Sequence, residues 1–158
     1  MLPSPLKDTM YLRLFGFLKI PMLFFLRPSV VKIDKNICQV KIPLGRRQKN
    51  HLGSMYFGVL AAGADCAGGL VAMQAIRDSG KKVSLSFKDF HADFLKRAEG
   101  DTIFTNNQGE EVRAFVKRVI ESGERENFPV KITATCPKKL GDEPVAEFIL
   151  TLSLKRKD

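Results

Sequence analysis

Residues 50–65, NHLGSMYFGVLAAGAD, open on a carboxamide, close on a carboxylate and are largely apolar between. A carboxylate drawn into such surroundings can take a proton from water or attack a carbonyl directly. The stretch also starts a helix. Its first amides, around Phe57 and Gly58, lack acceptors inside the helix and lie at its positive end, where they can hold a developing oxyanion. Phe57 and Asp65 lie eight positions apart, so on one helix their backbones stand roughly 12 Å apart. One helix cannot bring both to one carbonyl carbon, whereas two antiparallel copies can. A catalytic Asp65 therefore predicts an active homodimer. Two other readings stay open at this point. Asp65 can be a structural acid, hydrogen-bonded or solvated, or residues 52–76 can form a membrane span with Gly58, Ala62, Gly68 and Ala72 as small faces for helix contact. The charged, strand-rich remainder and the cost of a carboxylate in lipid weigh against the span.

The elements that must position these groups follow from periodicity and punctuation. No proline occurs from Tyr56 to Ser79, alanine and leucine are frequent, and Gly80 followed by two lysines ends the run. This predicts a helix of roughly two dozen residues, about 35 Å long. It is apolar nearly all round, so it must be covered on several sides. Before it, VVKIDKN and ICQVKIP predict two short strands around a polar turn at Asp34 to Asn36, and LGRRQKN a basic loop. After it, Val83, Leu85 and Phe87 alternate with serines, the register slips near Lys88 and Asp89, and Phe90, Ala92 and Phe94 continue it. That predicts one long strand with a bulge, followed by a turn at Glu99 to Asp101 and a second strand. Val112, Phe115, Val116 and Val119 predict a short helix. PVKITATC and PVAEFILTLSLK predict a closing hairpin around Gly141 and Asp142. The order is that of an α+β fold with a mainly antiparallel sheet curved about the long helix. It is read as one domain over residues 1–158, with a helical segment at 1–28 and the core at 29–158.

Composition narrows the partners. The net charge of +9 is spread along the chain, with no RNA-binding signature or zinc-finger spacing, so nucleic acid is not expected. Cys38, Cys66 and Cys136 form no C-x-x-C pair and predict a reducing, cytoplasmic setting. YLRLFGFLKIPMLFFL is interrupted by Arg13 and Lys19 and broken by Pro21, too short between breaks to span a bilayer. It is read as an amphipathic helix with a second short turn, its stripe of Leu12, Phe15 and Leu18, with Leu14 and Phe17 beside it, packed on the body. Attachment to a membrane surface is the minority alternative.

The organisation, and the run Asn50, Gly53, Gly58, Asp65 within it, resembles the hotdog-fold thioesterase superfamily, in particular its phenylacetic-acid-pathway-like branch. There an Asn leads a turn, His-Gly-Gly opens the long helix, and an acid follows two turns on. Asn50 matches the turn residue, Gly58 the second glycine and Asp65 the acid, while DFHADFLKRAEGDTIF is similar to the strand and turn after the helix. Tyr56-Phe57 replaces His-Gly, and in this the chain resembles a clade of uncharacterised hotdog proteins with a similar aromatic-rich GSMYFG. His51 lies in the turn, off the matching position, and is expected to be exposed.

The resemblance implies hydrolysis of an acyl-CoA or related acyl thioester by a homodimer or homotetramer. Asp65 is then general base or nucleophile, the Phe57 and Gly58 amides the oxyanion hole, and Asn50 the group that orients water or substrate. Tyr56, Gly53, Arg46 and Arg47 fall on the substrate side, the two arginines as donors to coenzyme A phosphates. No metal and no cofactor beyond the substrate's own coenzyme A are expected. A hydroxyacyl dehydratase is disfavoured, since its Gly-His-Phe-Pro turn is absent. A non-catalytic acyl- or lipid-binding dimer, with Tyr56 and Phe57 closing an apolar tunnel, is the remaining alternative.

Overall fold

A computed structural model describes residues 4–157. Two helices, α1 (Ser4–Lys19) and α2 (Pro21–Leu26), precede strands β1 (Ser29–Ile33) and β2 (Cys38–Ile42). The long helix α3 (Phe57–Ser79) leads to β3 (Val83–Phe94) and β4 (Thr102–Asn106). Helix α4 (Gly109–Ser122), β5 (Glu126–Thr135), the one-turn α5 (Pro137–Leu140) and β6 (Pro144–Arg156) complete the chain. The six strands form one antiparallel sheet in the order β1-β2-β4-β5-β6-β3. The sheet curves round α3, whose Leu70, Val71 and Ala72 are buried against residues such as Phe104, Phe148 and Leu150. α3 is long and apolar enough to cross a membrane, yet 67% of its most apolar window is buried inside the protein. Burial by the sheet accounts for that hydropathy and removes the need for a membrane span.

Several expectations are met for identifiable physical reasons. The Asn36 and Ile37 amides donate to Asp34 Oδ1 at 2.8 and 3.0 Å, which builds the polar turn between β1 and β2. The β3–β6 register shifts between Phe87 and Phe90, where the sequence alternation slips. Gly80 closes α3 at φ 68°, with its amide donating to the Arg77 carbonyl. The predicted turn at Gly141 and Asp142 is present, and the short helix α5, with Pro137 in its first turn, precedes it.

The N-terminal segment departs most from expectation. α1 starts at Ser4 and buries Asp8, Thr9, Leu12 and Gly16. Of the expected inward stripe only Leu12 is buried and Phe15 half-buried, while Leu14, Phe17 and Leu18 face outward at 57–63% exposure. The inner face takes in two polar residues because both are matched. Thr9 Oγ1 accepts the Val30 amide at 2.8 Å, and Asp8 accepts from Ser4 Oγ and from Gln74 Nε2 of α3. Gln74 in turn accepts from Arg113 Nη2 at 3.0 Å. A β-carbon at Gly16 would lie 2.9 Å from the Phe24 nitrogen, so this position lets α2 cross tightly.

Candidate active site

The start of α3 leaves donors over. Tyr56 sits in extended backbone ahead of the helix, and its carbonyl accepts from both the Val59 and Leu60 amides, at 2.9 and 3.1 Å. No side chain caps the helix. Among the described residues the Phe57 and Gly58 amides therefore have no acceptor. The Tyr56 ring folds back over this end: a β-carbon at Gly58 would lie 2.7 Å from Tyr56 Cε1. Tyr56 and Phe57 are both exposed, their ring centroids 4.8 Å apart, and Phe57 meets Phe94 of β3 at 6.3 Å.

Asn50 spends its side chain on the turn before the helix. Its Oδ1 accepts the Leu52 and Ser54 amides at 2.9 and 3.2 Å, and its Nδ2 donates to Ser54 Oγ at 3.2 Å. Gly53 holds φ 78° in the same turn, a conformation that favours glycine. These two residues shape the approach to the helix, and His51 is exposed beside them.

Two turns into α3, Asp65 is half-buried and without a hydrogen bond or ion pair among the described residues. Burial alone raises its carboxyl to about 6. It lines a cavity of about 390 Å³ walled by α3, by Val83 and Leu85 of β3, and by Tyr11, Phe15, Ile20 and Leu23 of the N-terminal hairpin. Among the described residues Arg77 is the one cation in that wall, and it stacks over the Tyr11 ring at 4.6 Å. Asn50, Tyr56 and Phe57 line a different hollow of about 530 Å³, together with Phe94, Lys96 and Arg97. A single chain thus keeps the carboxylate and the free amides in separate cavities. Arg46 and Arg47 are exposed and line a third hollow with Arg27, and Arg47 stacks on Phe25 at 4.9 Å. They share no cavity with Asp65 or Phe57. No cluster of His, Cys, Asp and Glu fit for a metal ion exists among the described residues.

Sequence reasoning did not find Arg77, Lys96 or Arg97, nor the hairpin as a cavity wall. Arg77 is tied to the site by the fold, which brings Tyr11 of α1 beside α3.

A curved antiparallel sheet wrapped about one long helix defines the hotdog fold. A family described as a domain of unknown function, DUF4442, matches residues 10–151, and the chain belongs to that family. Solved structures share the architecture. A Pseudomonas aeruginosa protein of unknown function, also called a probable thioesterase, is 22% identical with a TM-score of 0.76, over 99% of this chain and 97% of that one. A Chlorobaculum tepidum protein of unknown function is 12% identical with a TM-score of 0.82, over 97% of each chain. A Haemophilus influenzae thioesterase is 14% identical with a TM-score of 0.67, over 90% of this chain and 88% of that one. At these identities the likeness is one of fold. No curated protein matches the sequence, and neither finding places the chain in the phenylacetic-acid-pathway-like branch.

Proposed function

We propose that this protein hydrolyses an acyl thioester, such as an acyl-CoA, as a homodimer in which each site joins Asp65 of one copy to the start of α3 of the other. The observation that carries this reading is Asp65 itself: a carboxylate with no partner among the described residues, raised by burial to about 6, in the wall of an apolar cavity. A base poised just below neutral is ionised at pH 7 yet able to accept a proton. The fold of the thioesterase from Haemophilus influenzae supports the same reaction class.

The steps follow from the groups present. Asp65 takes a proton from water as the water oxygen attacks the thioester carbonyl. The oxyanion that forms is held by the Phe57 and Gly58 amides of the second copy. Collapse breaks the carbon–sulfur bond, and the thiolate leaves with the proton held on Asp65. The products are a carboxylic acid and a free thiol. Asn50 and Gly53 act as positioning residues, since their interactions build the turn that presents those amides.

The dimer has support in β3. This twelve-residue strand is an edge of the sheet, with one ladder partner, and Phe90 and Phe94 on it are 44% and 50% exposed. An unpaired edge of that length invites a second strand. Lys96 and Arg97 line the hollow at the free amides and are proposed to meet the anionic end of the thioester, alongside or in place of Arg46 and Arg47.

The test is release of free thiol from a panel of acyl-CoAs by the wild type and by Asp65→Asn. Loss of turnover in a variant that stays dimeric is expected, and unchanged turnover overturns the assignment. Binding of acyl-CoA by the wild type with no thiol released would identify an acyl-binding dimer instead. Mixing Asp65→Asn with a variant damaged at the start of α3 is expected to restore activity, because one of the two sites in the mixed dimer is then intact.

A further inference from the structure

Nine of the seventeen large apolar side chains exposed among the described residues lie between Leu6 and Phe25. On α1, Leu6, Met10, Leu14 and Phe17 follow at steps of four, four and three, so they form one stripe. That stripe lies opposite the buried face of Asp8, Thr9, Leu12 and Gly16. Leu18 widens it, and the exposed Met22 and Phe25 of α2 continue it round the hairpin. Phe17 and Phe24 pack edge to face at 5.3 Å, which joins the two helices into one surface.

The charges around this surface are of one sign. Between residues 4 and 33 the only acid is Asp8, which is buried, whereas Lys7, Lys19 and Arg27 are exposed. Arg46 and Arg47 add to the rim: with Arg27 they line a hollow of about 310 Å³, and Arg47 lies over the Phe25 ring at the edge of the patch. None of Arg27, Arg46 and Arg47 forms an ion pair among the described residues.

From this arrangement we infer that the α1–α2 hairpin seats the protein on an anionic lipid surface, its apolar face in the acyl boundary and its arginines among the headgroups. An apolar helix face flanked by basic residues has the make-up of an interfacial anchor. A second copy fits the same face poorly, because an isologous contact would set the cationic rim against itself. α1 carries Lys7, Asp8, Arg13 and Lys19 within its 16 residues and α2 has only 6, so the hairpin lies on the surface and does not cross the bilayer.

The chain has no tryptophan, so Phe17→Trp supplies a single reporter at an exposed position. Mixing this variant with vesicles of phosphatidylcholine and phosphatidylglycerol is expected to shift its emission to the blue and to carry the protein up in flotation. Phosphatidylcholine alone should bind far less, and raised salt should weaken binding. Arg27→Glu, Arg46→Glu and Arg47→Glu should each weaken binding to the anionic vesicles by about fivefold or more. Leu14→Ser with Phe25→Ser, a pair of exposed positions, should abolish the flotation while the circular dichroism is kept. Absence of a shift and of flotation with anionic vesicles overturns the inference, as does binding that these variants leave intact. A fall in solution mass of Leu14→Ser with Phe25→Ser, without lipid binding by the wild type, would overturn it too and identify the face as a protein contact.

Discussion

Two apolar surfaces are exposed, and they are built differently. The hairpin surface carries aliphatic and phenyl groups on two helices, ringed by cations. The surface around the start of α3 combines Tyr56, Phe57 and Phe94 with donors that have no acceptor among the described residues and a strand with a free edge. The first can offer little but burial and charge. The second offers directional hydrogen bonds as well, which is what a protein partner and a developing oxyanion both require. Exposed hydrophobicity alone does not tell them apart, and the unpaired edge of β3 beside the second does.

The largest expected effect that separates the two is on turnover. Asp65→Asn should lower it by about 10²–10⁴-fold, measured by thiol release, while flotation with anionic vesicles is unchanged. Next comes assembly. Phe94→Asp at the free-edge surface should weaken the dimer by roughly thirtyfold or more, the loss typical of a central aromatic anchor, and turnover should fall in step with the mass measured by light scattering. If turnover stays with the monomer, the shared site is wrong and the two surfaces are not distinguished by assembly.

The third effect is on pH. With its carboxyl raised to about 6 by burial, Asp65 loses its charge as pH falls through that value, so the rate should drop along a limb centred near pH 6. The sign for stability is the opposite. The folded protein binds this proton more tightly than the unfolded chain, so the group's contribution is least unfavourable below the ordinary carboxylate range and grows unfavourable as pH rises to about 6. Asp65→Asn should accordingly be more stable than the wild type at pH 7 by about 1–2 kcal/mol after allowance for solvent screening. Thermal melts at pH 4 and pH 7 would show the difference shrinking at the lower value. Smallest of all, Leu14→Ser on the hairpin should change folding stability by no more than about 0.5 kcal/mol, as expected for an exposed side chain. A larger loss in urea unfolding would mean that this face already has a cover in the protein alone.

Much of the core was legible because its punctuation is local. Gly80, the slipped alternation at Lys88 and Asp89, and the turn at Asp34 each report a nearby backbone event, and each appears where the pattern puts it. Asp65 stood out for a related reason, a lone acid in a long apolar run. The hairpin was misread because periodicity gives which residues share a face and not which face looks inward. With Leu12 and Phe15 on one side and Leu14 and Phe17 on the other, hydrophobicity was nearly balanced. The choice fell to Asp8 and Thr9, whose partners Gln74 and Val30 are distant in sequence. Arg77, Lys96 and Arg97 were missed on the same ground, since only the folded sheet and hairpin bring them to cavity walls.

The overlap between the Tyr56 ring and the space above Gly58 has a consequence for how this site can change. The ring fills the space that a β-carbon at Gly58 would need, so a side chain cannot be added there while the ring stays in place. Gly58→Ala should push the ring off the helix end and alter access to the two amides, yet be almost silent once Tyr56 has been cut back to alanine. The pair is a single element of the entrance written in two letters, and its size is fixed by their sum.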